Sequence, residues 1–345
     1  MFQFKITQSE FDLFRDFIYE HAGIDATELS LTPIIEHSNL NNVVLISDQR
    51  IDLYAKSAPA IALDGTLEIT PTRNRYEARA LDIAEAIHSD VVTPRCVYVN
   101  NEYNFFVMES VCSSPRMLAG NNEYDLNALE EHSRAIGSWL AKFHSCANEF
   151  KRPIQQTLLL KNILFNHIYS PGAKAIFPND WEGIIAKCMS HNEQLVHSDL
   201  WGKNLLIDGQ GKIAILDFEG AMIGDGALDI ASIICTGFFC ISGFPERLPK
   251  WLSFSHQLIA AYLAVVPDKL NGNKTLDRVS SYLPLLIVHR TSGAFPFTMQ
   301  EERKESLIKI ALYLHAKNET SIDHNLKSMF DLYRAEFSTN QLSTP

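Results

Sequence analysis

The sequence predicts an α+β protein of two lobes, residues 1–111 and 112–345. Three observations carry this. Apolar runs of strand length cluster before residue 111, with one amphipathic helix among them. Helical periodicity dominates after residue 126. A short hairpin rich in polar residues interrupts that helical part at 196–219. The first lobe is therefore an antiparallel sheet with one key helix, and the second is mostly helical around a hairpin.

Residues 8–21 suit a helix, capped by Thr7 or Ser9, with Phe11, Phe14, Phe17 and Ile18 on one face. Val43, Val44, Leu45 and Ile46 are strand-like, and 37–42 is the turn that feeds them. Residues 50–57 alternate as a strand ending near Lys56. A helix over about 75–87 follows, with Tyr76, Ala80, Ile83, Ala84 and Ile87 as its apolar face and Glu77 at its start. Residues 94–111 read as strand, turn and strand, with Asn100, Asn101 and Glu102 in the turn. Leu129, Ile136, Leu140, Phe143 and His144 fall at helical spacing within 126–148, which makes His144 a core or interface histidine. Residues 160–173 and 176–190 read as a substrate-side insertion and a helix leading into the hairpin. Helices over 227–242, 250–265, 278–297, 301–316 and 324–337 complete the lobe, and 341–345 is a frayed tail.

Composition narrows the function. With 46% hydrophobic and 21% charged residues, the chain has the balance of a soluble globular protein. A formal charge of −11 without a Lys/Arg run argues against nucleic acid as a partner, because a phosphate backbone is repelled by an acidic surface. The six cysteines are scattered and form no C-x-x-C, which predicts reduced thiols and a cytoplasmic protein. No charged segment followed by an apolar core opens the chain, so no signal peptide is expected. The apolar run 230–244 is broken by Thr236, Gly237, Ser242 and Gly243, and reads as a buried helix rather than a membrane span.

The chemistry concentrates in 196–219, where His197, Asp199, Asn204, Asp217 and Glu219 surround two apolar strands, 205–207 and 213–216. Asp208, Gly209, Gln210 and Gly211 form the turn between them. Folding the hairpin brings Asp199 and Asn204, before its first strand, to Asp217 and Glu219, after its second. Phosphoryl transfer needs such a set: one carboxylate to orient a hydroxyl, and hard oxygen ligands for Mg²⁺ on ATP. Singly, an Asp before a strand or an Asp-Gly turn is ordinary loop chemistry. The conjunction of H-x-D, an Asn five positions later, a hairpin and D-F-E is far rarer.

This segment resembles the catalytic and metal-binding loops of the protein-kinase-like small-molecule kinases. That superfamily includes aminoglycoside phosphotransferases, choline kinases, fructosamine kinases and methylthioribose kinases. Residues 224–231, G-D-G-A-L-D-I-A, resemble its G-D-P-x-x-D-L-A stretch, with Gly226 where Pro is usual. Residues 39–43, N-L-N-N-V, resemble the G-N-L-N-x-V phosphate loop of methylthioribose kinases, with Ser38 in place of Gly. Lys56, then Arg73, Arg75 and Glu77, match that family's Lys strand and R-x-R-x-E-x-x-A-L segment. Residues 105–111 resemble the hinge strand that meets adenine through backbone groups, here of Glu109 and Val111. Arg290, Thr291, Ser292 and Gly293 resemble an R-x-x-G segment whose Arg faces the substrate.

The resemblance implies a bilobal protein-kinase-like fold and an ATP-dependent, Mg²⁺-dependent kinase. Asp199 would be the base and His197 would hold its loop. Asn204 and Asp217 would bind Mg²⁺, with Glu219 a further ligand from the D-x-E pattern. Lys56, held by Glu77, would meet phosphate, as would Ser38, Asn39 and Asn41. Arg290 and Trp201 would face the acceptor, a small molecule with a hydroxyl, methylthioribose first among them. His197 to Trp201 read H-S-D-L-W, closer to the H-G-D-L-W of fructosamine kinases, and Asn204 fits the aminoglycoside and fructosamine patterns better. Ketoamine, amino-alcohol and antibiotic acceptors therefore stay open, as do a non-catalytic nucleotide-binding regulator and a homodimer.

Overall fold

The computed structural model describes residues 30–33, 42–47, 52–57, 61–62, 67–68, 72–102, 104–111, 116–117, 119–120, 123–241, 244–317 and 321–340. The helix predicted over 8–21, the phosphate-loop residues Ser38, Asn39 and Asn41, and the tail 341–345 lie outside the described residues. The chain divides into two compact units, Met1–Ala86 with Thr93–Ser114, and Ile87–Val92 with Pro115–Pro345. The short segment Ile87–Val92 falls within the second unit. Backbone pairing is the reason, since buried N–H and C=O groups must find partners. Val92 donates its N–H to the Ile213 carbonyl at 2.8 Å and accepts from Ile215 at 2.9 Å.

In the first unit a five-stranded antiparallel sheet runs in the order Ser30–Pro33, Asn42–Ser47, Asp52–Ser57, Phe105–Glu109, Cys96–Asn100. Lys56 sits opposite Val43 on one side and Phe106 on the other. The helix Arg73–Glu85 packs on the strands Cys96–Asn100 and Phe105–Glu109 and buries Ala78, Leu81 and Ala84. It starts and ends two residues earlier than the apolar spacing suggested, so Ile87 is not part of it. Asn74 accounts for the early start. Its amide donates to the carbonyls of Lys56 at 3.1 Å and Asn104 at 2.8 Å, pinning the first turn to the sheet.

The second unit is built on helices. Leu126–His144, capped by the Asp125 carboxylate on the Ala128 N–H at 3.0 Å, crosses Leu248–Val265. Gly137 makes that crossing close: a Cβ there would lie 2.3 Å from the Leu258 carbonyl oxygen. Ala227–Ile241 is buried on every face, as its all-round apolarity requires, and packs on Gly272–Ser292 and Leu126–His144. Glu301–Lys317 and Ile322–Asn340 close the unit. Ile154–Asn162 continues into a π-helical turn, Ile163–Tyr169, and then Ser170–Ile176. Trp181–Met189 leads into the strand Gln194–Val196, which pairs with Met222–Gly224. Among the described residues no helix is long and apolar enough to cross a membrane.

The hairpin Leu205–Ile207 and Ile213–Ile215 is joined by Arg116–Met117 into a three-stranded sheet. Its turn is an Asx arrangement. The Asp208 carboxylate accepts from the N–H groups of Gln210 and Lys212, each at 2.8 Å, while Gly211 takes φ +80°. Substituting Gly137 by Ala is expected to lower stability by about 1–3 kcal/mol, because the two helices must separate. The urea midpoint checks it.

Candidate functional site

Lys56 lies in the strand Asp52–Ser57 and Glu77 in the helix Arg73–Glu85. Sheet and helix bring them together: the Lys56 Nζ donates to a Glu77 carboxylate oxygen at 2.7 Å, and both are buried, at 4% and 1% exposure. Burying two charges costs several kcal/mol of desolvation, which this short contact offsets in part. At the end of Phe105–Glu109, the Glu109 carboxylate is clamped by Arg95, and its backbone N–H donates to the Arg95 carbonyl at 2.9 Å. Val111 follows at a half-buried bend.

In the second unit, the stretch from His197 to Glu219 is held from three sides. The His197 Nε2 lies 2.8 Å from the Leu216 carbonyl, and its Nδ1 accepts from the Asp199 N–H at 3.3 Å. These partners specify a neutral imidazole with its proton on Nε2. The Asn204 amide donates to the Asp199 carbonyl at 2.8 Å and carboxylate at 2.9 Å. Leu216 donates its N–H to the Asn204 carbonyl at 2.9 Å, which sets Asn204 beside the start of Asp217. Beneath them Phe218 is fully buried, edge-on to Trp139 and Phe143 and 4.6 Å from the His197 ring.

Asp199 is pushed up to about 6. Desolvation is the largest cause, the Asp217 charge adds to it, and Arg290 and the Asn204 hydrogen bond oppose it. Such a carboxylate is ionised at neutral pH yet basic enough to take a proton from a hydroxyl in a transition state.

Sequence reasoning missed the support for this loop. Asp229, fully buried, accepts from the N–H groups of His197 and Ser198, each at 2.8 Å, and pairs with the His144 Nε2 at 3.2 Å. Ser198 needs that support because it takes φ +69°, a conformation that suits glycine. Its hydroxyl also donates to the Gly220 carbonyl at 2.8 Å. A polar chain continues from His144 Nδ1 to the Tyr262 hydroxyl at 3.1 Å, to the Gln194 amide at 3.0 Å and to the Gly226 N–H at 2.8 Å. Gly226 is required here. Proline would lack the N–H, and any Cβ would lie 2.4 Å from the His144 Nδ1. One signal was available: Asp229 is the single carboxylate in an otherwise apolar helix, Ala227–Ile241.

Arg290 and Trp201, far apart in sequence, are brought together. The guanidinium carbon lies 4.1 Å from the Trp201 ring centroid.

The Phosphotransferase enzyme family model matches residues 35–269. The chain belongs to the phosphotransferase enzyme family. Among solved structures it is similar to a choline/ethanolamine kinase family protein from Mesorhizobium loti, with TM-score 0.52 and 13% identity over 94% of this chain and 99% of that one. It is also similar to an ethanolamine kinase from Plasmodium vivax, with TM-score 0.51 and 14% identity over 98% of this chain and 91% of that one. At such identities the likeness is one of fold, mixed α and β with a mostly helical second part. Tyrosine recombinases XerC of Rickettsia typhi and Rickettsia prowazekii are 25% and 26% identical to it over 166 and 167 residues, 42% of this chain. The chain spans about half the length of these curated relatives, 52%.

The family implies a nucleotide and Mg²⁺, and the donors gathered here fit a hard divalent cation. Asn204 commits its amide nitrogen to Asp199, which leaves its Oδ1 as a hard acceptor. Asp217 carries its carboxylate just past the hairpin in a left-handed conformation, φ +64°. The field of Asp217 on Asp199 is one that a cation relieves. Glu219 is half-buried in the turn Phe218–Gly220. Among the described residues no three His, Cys, Asp or Glu side chains converge as a complete cage. Mg²⁺ takes one or two carboxylates and completes its shell with water and substrate phosphate.

Two outcomes check this geometry in the phosphotransferase. Lys56→Met strands the buried Glu77 and is expected to cost on the order of 3–5 kcal/mol in urea unfolding, most of it recovered in Lys56→Met/Glu77→Leu. Asp229→Asn puts an NH₂ against N–H donors and is expected to cost about 1–3 kcal/mol in the same measurement.

Proposed function

We propose that this chain transfers the γ-phosphoryl group of ATP to a hydroxyl of a small molecule, with sugars as the leading acceptor class and methylthioribose the member of that class that the resemblance suggests. One observation carries the reading: the Asp199 carboxylate, raised to about 6, is oriented by Asn204 at 2.9 Å and neighbours a second carboxylate suited to a metal. In this role Asp199 accepts the proton of the acceptor hydroxyl as the oxygen attacks. His197 holds the loop through its two ring nitrogens, and Asn204 keeps the carboxylate aimed. Asn204 and Asp217, with Glu219 in reserve, hold Mg²⁺. Lys56, fixed by Glu77, would present an ammonium to nucleotide phosphate, and the stretch with Ser38, Asn39 and Asn41 would offer it backbone N–H groups. Glu109 and Val111 offer backbone groups to adenine. When bound, the metal and nucleotide supply the transferable group and the charge neutralisation that phosphoryl transfer requires. The protein's contribution is positioning and a preorganised field.

The D-F-E of Asp217 to Glu219 supports the sugar acceptor. Trp201 after H-S-D-L and Asn204 support the ketoamine and aminoglycoside alternatives. A regulator without turnover is disfavoured by the complete set Lys56, Glu77, Asp199, Asn204 and Asp217. The recombinase likeness would require a DNA-binding face, which a formal charge of −11 without a basic run disfavours. A cytoplasmic setting with no membrane or nucleic-acid partner completes the proposal.

The test is Mg·ATP-dependent ADP release with methylthioribose, an amino alcohol, a ketoamine and an aminoglycoside. Asp199→Ala is expected to reduce kcat/KM by about 10²–10⁴-fold. The base works deprotonated, so wild-type kcat/KM should be flat above pH 6 and fall tenfold per unit below it. Full turnover in Asp199→Ala would remove Asp199 as the base. Nucleotide binding without turnover on any acceptor would favour the regulator.

A further inference from the structure

The second unit also bears on the charge of the acceptor. Arg290 lies near the end of the helix Gly272–Ser292. Its guanidinium carbon is 4.1 Å from the Trp201 centroid and 5.1 Å from that of Phe297. The two rings are 5.7 Å apart and 31° from parallel. Phe297 is fixed in turn, since its N–H donates to the Arg290 carbonyl at 2.8 Å and its ring meets Phe239 edge-on at 5.2 Å. A guanidinium resting on aromatic rings keeps its in-plane fork of N–H donors. Among the described residues no carboxylate forms an ion pair with Arg290.

The fork belongs to the Asp199 neighbourhood. Trp201 stands two residues after Asp199, its backbone N–H donates to the Asp199 carbonyl at 3.1 Å, and its indole hydrogen-bonds the Asp199 carboxylate. Lys203, exposed, adds a second cation 5.3 Å from the Trp201 centroid. Tyr169 closes the π-helical turn Ile163–Tyr169, a distortion that often re-aims a side chain at a functional site. It is buried, and its ring meets His289 at 4.9 Å. Its hydroxyl feels the charges of both Asp199 and Arg290.

Aromatic faces beside a kinase base are what an ammonium-bearing acceptor would use. Here a guanidinium already fills them, and a second cation would meet like charge. An oxyanion would instead find a bidentate fork with the Tyr169 hydroxyl in the same electrostatic neighbourhood. We propose that the acceptor carries a carboxylate or phosphate that docks on Arg290 and Tyr169, and that Arg290 excludes ammonium-bearing acceptors. This rests on the phosphotransfer reading for the word acceptor, and it narrows the sugar class to sugars with an oxyanion, away from neutral methylthioribose itself.

The test uses the full chain with the indole ¹H–¹⁵N signal of Trp201, assigned through Trp201→Phe. The probes are D-ribose, D-ribose 5-phosphate, D-ribonate and choline. At least one of the two anions should shift the signal saturably, with a Kd at least tenfold below those of ribose and choline; the tighter of the two identifies phosphate or carboxylate. Arg290→Met should weaken that anion at least tenfold and Tyr169→Phe severalfold, with stabilisation by Mg·ADP retained. Should Arg290→Met not fold, Arg290→Lys keeps the charge without the fork and should lose the same bidentate preference. Absence of a shift with either anion, choline or ribose binding as tightly, or wild-type affinity in the Arg290 variant overturns the proposal. A shift with Mg·ATP but with neither anion also overturns it and assigns Arg290 to the transferred group. Asp199-dependent turnover of a neutral or cationic acceptor would leave phosphotransfer standing while this inference fails. Anion binding without turnover would do the reverse.

Discussion

The Asp229 carboxylate, buried in an apolar helix, holds the loop on which the candidate chemistry stands. It accepts the N–H groups of His197 and Ser198 and meets the His144 ring, so its charge is compensated by three donors rather than by solvent. A carboxylate so placed is costly to strand and strong when satisfied, which makes it a rigid anchor. Because it engages two consecutive backbone N–H groups, it supports the left-handed turn at Ser198 and fixes the direction in which Asp199 leaves that turn. His144, Tyr262, Gln194 and Gly226 extend the anchor through three further helices and strands. The loop is therefore tied to the core of its unit and not only to its chain neighbours.

On that anchor the protein maintains an electrostatic tension. Asp199 and Asp217 are close enough for one charge to raise the other's pKa, and burial raises Asp199 further. Arg290 and the Asn204 amide offset part of this. An arrangement unfavourable to the isolated carboxylates is what a proton acceptor beside a metal ligand requires. In the first unit Lys56 and Glu77 follow a different logic. They form a tight buried pair, whose value lies in holding an ammonium in one orientation rather than in net stability.

Much of this was legible in the order of residues. Strand alternation around Lys56, the Asp208 to Gly211 turn, and the helical periodicity of Leu126–His144 and Ala227–Ile241 are local signals, and the elements formed where they point. Ends moved by one or two residues where a side chain such as Asn74 or a pairing such as Leu216 with Asn204 intervened, and the helix expected over 126–148 stops four residues early, at His144. His197, Asp199, Asn204 and Asp217 were also identifiable, because a hairpin joins them over a short stretch and local geometry suffices.

Contacts between distant segments were not legible. No local pattern assigns Asp229 to the backbone of His197, Ile87–Val92 to the strand Ile213–Ile215, or Arg290 to the face of Trp201. Each depends on how helices and strands pack, and packing is decided by shape and desolvation summed over many residues. The sequence by itself determined the two-part α+β organisation and the set of candidate phosphoryl-transfer groups, because short-range periodicity and spacing encode both. Only the tertiary structure decided that the loop's anchor is a buried carboxylate in another helix and that a guanidinium, stacked on Trp201 and Phe297, fills the aromatic faces beside Asp199. Both facts arise from close packing across long sequence separations.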